Sequence, residues 1–76
     1  MSRWIPCKRR EFIRKLRALC VEGPYGGTRH QFMIHKSHRL AIPTNSELSV
    51  PQLRFVLREV ETILGQKLTL ENWTDL

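Results

Sequence analysis

Arg29-His30-Gln31-Phe32-Met33-Ile34-His35-Lys36-Ser37-His38-Arg39-Leu40-Ala41-Ile42 is the stretch on which the fold turns. Residues 29–35 read as a strand and Lys36-Ser37 as a tight turn. Residues 39–42 read as a second strand, ended by Pro43, whose missing N–H cannot extend a ladder. The two runs predict an antiparallel hairpin. A hairpin alone is marginal in water, so its apolar side needs cover from the flanking segments.

Both flanks predict helices. Over residues 8–20, Phe12, Ile13, Leu16, Leu19 and Cys20 form one apolar stripe, and Cys20 is therefore expected in the core. Arg10, Arg14 and Arg17 lie on roughly the opposite side. Gly23-Pro24 stops the helix or closes the loop behind it. Gly26-Gly27 signals a turn or bulge, and a short extra strand near 21–26 is weakened by the glycines. Residues 44–48 read as a polar loop. Ser49 then caps a second helix, with Pro51 in its first turn and Gln52 at the capping-box position. Leu53, Val56, Leu57, Val60, Ile63 and Leu64 supply its stripe, and Gly65 ends it. Thr69 reads as the N-cap of a last short turn, with Leu68 and Trp73 at hydrophobic-staple positions. The order predicts one α+β domain over residues 1–76: helix, two or three antiparallel strands, helix and a short C-terminal helical turn. It is also the plan of a double-stranded RNA-binding domain, and order alone is weak ground for function.

Length and charge bound the chemistry. The 76 residues leave room for one thin core and none for a cofactor domain or a deep enclosed pocket. No stretch approaches the roughly 18 apolar residues of a membrane span. The N-terminus lacks the apolar core of a secretory signal. Cys7 and Cys20 are too few for a disulfide scaffold and read as reduced thiols, which points to the cytoplasm. The net charge of +6 argues for a polyanionic partner. Residues 1–39 carry ten basic and two acidic side chains, whereas residues 40–76 carry three and five. The basic half also holds all three histidines, His30, His35 and His38.

Most catalytic chemistries find no support. His30 and His35 are an odd number apart, so one extended strand would point them to opposite faces, away from a shared metal. Cys7 stands at a helix start, where thiols can be reactive, but nothing else supports a nucleophile there. Glu47, Glu59, Glu61 and Glu71 form no matched pair. A histidine in a basic field remains. Imidazole can serve as general base or acid near neutral pH. RNA brings its own nucleophile, the 2′-hydroxyl, so cleavage needs only a proton acceptor, a proton donor and cations around the phosphorane. From spacing alone, His30 reads more readily as a strand-end histidine bonded to the backbone.

The stretch Gly26-Gly27-Thr28-Arg29-His30-Gln31-Phe32-Met33 resembles the strand signature of the HicA toxin family. The resemblance covers most of the chain. Leu16-Arg17-Ala18-Leu19 is similar to the end of the family's first helix, and Arg39-Leu40-Ala41-Ile42-Pro43 to its next strand. Glu47-Leu48-Ser49-Val50 with Leu53, Val56 and Leu57 resembles its second helix, and Leu70-Glu71-Asn72-Trp73 its terminal turn. The resemblance implies a fold like the double-stranded RNA-binding domain. It implies a metal-independent endoribonuclease that cleaves mRNA, the toxin of a type II toxin–antitoxin pair, with a HicB-like antitoxin as partner and no cofactor. It makes His30 the catalytic residue, on a turn formed by Gly27 and Thr28. Arg29, Lys36 and Arg39 would hold phosphates, with His35 or His38 assisting, and Arg10, Arg14 and Arg17 would attract RNA nonspecifically. The chain departs from the family at Arg29, where many relatives carry a first histidine. It departs also at Cys20-Val21, where Gly-Phe or Gly-Val is usual, and at Thr44-Asn45-Ser46, which lacks a frequent histidine. Two other functions fit the sequence: an RNA-binding module without catalysis, and an interaction domain whose basic face meets an acidic protein.

Overall fold

The computed structural model describes residues 3–27 and 29–76. In chain order the elements are β1 (Cys7–Lys8), α1 (Arg9–Ala18), β2 (Glu22–Tyr25), β3 (Phe32–His35), β4 (His38–Ala41), β5 (Glu47–Leu48), α2 (Val50–Leu64) and α3 (Leu70–Thr74). β2, β3 and β4 form an antiparallel sheet in that spatial order. β1 and β5 make a separate antiparallel pair. The fold is α+β.

The hairpin register sorts the strand residues into two faces. Met33 pairs with Leu40, and both are buried on the helix side. Phe32 pairs with Ala41 and Ile34 with Arg39, which puts these four on the other side. Phe12 and Leu16 of α1 and Leu53, Val56, Leu57 and Val60 of α2 join Met33 and Leu40 in one core cluster. Both helices therefore cover the same face. Each such large apolar side chain contributes about 1.5–3 kcal/mol by leaving water. Trp73 of α3 closes the core, its ring 5.8 Å from that of Phe12.

The predicted second helix is present as read. The Ser49 hydroxyl accepts from the Gln52 N–H at 3.3 Å, and Gly65 ends the helix at φ 71°. The return half of the expected capping box is not made, and the Gln52 side-chain NH2 donates to Asn45 Oδ1. At α3 the box does close, between Thr69 and Asn72. The 44–48 segment differs from its reading as a loop. Glu47–Leu48 bridges Cys7–Lys8, and Leu48 is fully buried.

Cys20 is the clearest correction. Helix α1 ends before it, and Cys20 stands exposed at φ 67° in the left-handed region. The Cys20 N–H donates to the Arg17 carbonyl and the Val21 N–H to the Leu16 carbonyl, both at 3.0 Å. Buried Val21 joins buried Leu16 in the core cluster. This is a Schellman ending, and its left-handed position ordinarily takes glycine. With a cysteine there, the apolar spacing alone carried the expected helix two residues too far.

Candidate functional site

His30 lies in the link between β2 and β3, just before the sheet ladder begins at Phe32. Gly26 sets its approach. At φ 95°, a Cβ on Gly26 would stand 2.8 Å from the His30 carbonyl oxygen. Only glycine fits that close passage. A Cβ on Gly27, which the resemblance assigns to the turn, would meet nothing within 4 Å. Thr28, its expected companion, lies outside the described residues.

The mouth of the hairpin is fastened from α1. The Arg9 guanidinium donates to the Gln31 side-chain carbonyl and, through Nε, to the Pro43 carbonyl at 3.1 Å. The Ile42 N–H donates to the Gln31 carbonyl at 3.0 Å. Gln31, next to His30, is thus tied to α1 and to Ile42 just past the end of β4, while the His30 side chain is exposed. In the sequence Arg9 was one cation among thirteen. Its long-range contacts have no local signal.

Arg29, His30, Phe32, Arg39, Thr44 and Glu59 line one open groove of about 710 Å³. Its size falls within the roughly 300–1,000 Å³ of small-ligand sites, but it is shallow rather than enclosed. The groove therefore brings together three of the expected residues: His30, Arg29 and Arg39. Glu59 of α2 joins them, although sequence spacing left it an unpaired helical carboxylate. Glu61, its near neighbour, faces elsewhere, and its carboxylate accepts the Leu68 N–H at 2.7 Å.

His35, Lys36 and His38 are not brought to this groove. Five residues of extended chain from His30 to His35 span roughly 16 Å, so these three stand at the opposite end of the hairpin. His35 and His38 are register partners beside the turn, where Lys36 adopts φ 56°. The His35 Nδ1–H donates to the Cys20 carbonyl at 3.1 Å. Among the described residues, the histidine bonded to backbone is thus His35, not His30. Among those residues no group of His, Cys, Asp and Glu is gathered as metal ligands.

Arg10, Arg14 and Arg17 are exposed on α1 and line no part of the groove. Arg14 pairs with Glu11 at 2.9 Å and also donates to the Leu76 carbonyl. The hydrogen bond from Arg14 holds the Glu11 carboxyl below its ordinary range. Cys7 and Cys20 are both free thiols. Burial pushes the Cys7 thiol up, which disfavours the thiolate that reactivity at a helix start would require. No helix is long and apolar enough to cross a membrane among the described residues.

The outward sheet face sets Tyr25 and Phe32, which are not among the expected site residues, beside Arg39, which is. Tyr25 pairs with Phe32, their ring centroids 5.9 Å apart, and the Arg39 guanidinium lies 3.9 Å over the Phe32 ring. Tyr25 faces outward because β2 carries an extra residue between its Glu22 and Tyr25 pairings. That bulge reverses the side on which the odd spacing would place the ring. Gly23-Pro24, expected to stop the helix or close the loop behind it, lies inside this bulged strand, ahead of the Gly26-Gly27 pair that signals a turn or bulge in the sequence.

Compared with known proteins, the chain matches no family model, no curated protein and no solved structure.

Proposed function

We propose that the chain is a ribonuclease toxin of the mRNA-interferase type, with His30 as its proton-transfer residue and a double-stranded RNA-binding-domain-like fold. The observation that carries this reading is the open groove that exposed His30 lines together with Arg29 and Arg39. The order α1, three antiparallel strands, α2, with both helices on one sheet face, supports the fold assignment.

In the proposed reaction the His30 imidazole takes the proton of a ribose 2′-hydroxyl. That oxygen forms a bond to the adjacent phosphorus, and the bond from phosphorus to the 5′-oxygen breaks. The departing oxygen takes a proton from solvent. Arg29 and Arg39 stabilise the charge that builds on the phosphorane oxygens. The products carry a 2′,3′-cyclic phosphate and a 5′-hydroxyl. The nucleophile belongs to the substrate, so the step requires neither a metal-bound hydroxide nor a covalent enzyme intermediate. The basic half of the chain also suits an acidic HicB-like antitoxin that would cover the groove, with RNA in the cytoplasm as the target.

Regulated expression of the parent and of His30→Ala tests the reading. The parent is expected to arrest growth and degrade mRNA, and the variant to do neither. Equal arrest and equal RNA loss with His30→Ala would overturn it. The outward aromatic face also favours a second reading, RNA binding without turnover. That reading predicts salt-dependent affinity and intact RNA after long incubation.

A further inference from the structure

The outward sheet face differs from the rest of the surface in how its flat groups are arranged. Tyr25, Phe32 and Arg39 form a row in which the Phe32 ring is flanked by Tyr25 and capped by a guanidinium. Tyr25 is 43% exposed although it is a large aromatic residue. Among the described residues no helix covers this side, because α1, α2 and α3 all send their buried residues to the cluster around Met33 and Leu40. Phe32 and Arg39 also line the groove that holds His30. The row therefore begins at the candidate reaction centre and runs out across the sheet.

We propose that Tyr25, Phe32 and Arg39 form a stacking platform for an unpaired RNA base next to the phosphate at His30. The proposal rests on the ribonuclease reading and adds a preference that the reaction alone does not impose: single-stranded over duplex RNA. Three observations favour RNA as the occupant. The exposed end of the row is an aromatic face, and bases stack on such faces irrespective of sequence. The guanidinium over Phe32 holds positive charge against the aromatic pair, beside the backbone path. The adjoining Arg29 supplies a second cation at the same groove. A base within a duplex has both faces already stacked and cannot lie flat on the row.

The test uses the full chain carrying His30→Ala, so that binding is read without turnover. Affinity is measured at low salt for one labelled single-stranded RNA and for its blunt duplex. Adding Tyr25→Ala is expected to weaken single-strand binding about five- to hundredfold, as loss of one stacked base does. Tyr25→Phe should keep near-parental affinity, and duplex binding should be unmoved by either change. Circular dichroism confirms that the exposed substitution leaves the fold intact. Single-strand affinity within twofold of the parent in Tyr25→Ala overturns the platform alone. Equal weakening on the duplex also overturns it, since that marks a backbone or shape contact. If the His30→Ala chain binds neither RNA, the ribonuclease reading and the platform both fail, and the face is left for a protein partner.

Discussion

On one face of the three-stranded sheet, Met33 and Leu40 are 0% and 1% exposed beneath two helices. On the other, Phe32 lies tilted beside Tyr25 and under the Arg39 guanidinium, with no helix above them among the described residues. The strands are the same, and the alternation of side chains along them divides the two tasks. The inner face holds the fold together. The outer face, with His30 at its edge, leaves Tyr25 and Arg39 exposed. A domain of 76 residues has too little interior to bury a site. It can nevertheless keep a rigid open one if the covered face fixes the strands.

That division predicts unequal costs. Met33→Ala leaves a cavity under both helices and should lower stability by about 2–5 kcal/mol in denaturant titration. Phe32→Ala on the outer face should cost clearly less in stability and weaken RNA binding more. Equal stability losses at the two neighbours would break the contrast. A sharper test lies at the end of α1. Cys20→Gly relieves a left-handed cysteine and should stabilise the chain by about 0.5–1 kcal/mol, a rise of a few degrees in Tm. The smallest effect is expected away from both faces. Glu11 has its carboxyl held below its ordinary range by Arg14, so its contribution is present above that range. It is lost as pH falls through the lowered value. Thermal melts of Glu11→Gln and the parent should therefore differ near neutral pH at low salt and converge in acid.

Much of the inner face was legible in the sequence, and the outer face much less so. The stripe of α2, its Ser49 cap and Gly65 end are local signals, and each of them stands in the structure. The turn at Lys36-Ser37 was equally local. Three features were not readable. The β1–β5 pair has two residues on each side, too few to show a period. Cys20 occupies a position that glycine would have announced. Tyr25 faces outward only because of the bulge before it, which spacing cannot forecast. For the site, the motif pointed to His30 and Arg29, which share a groove with Arg39 from the expected phosphate-holding set. His35, Lys36 and His38 are close in sequence but extended chain carries them to the far end. Glu59 and Arg9 reach the site's surroundings through tertiary contacts from the helices.

The central claim is that His30 moves a proton from a substrate hydroxyl. It is tested most directly with the purified chain, a single-stranded RNA containing one scissile site, and chelator throughout. The account predicts fragments ending in a 2′,3′-cyclic phosphate and a 5′-hydroxyl. Replacing the 2′-hydroxyl by hydrogen at that one nucleotide should abolish the cut there, and His30→Ala should slow it at least about a hundredfold. Undiminished cleavage of the 2′-deoxy site, or by the His30→Ala chain, would contradict it.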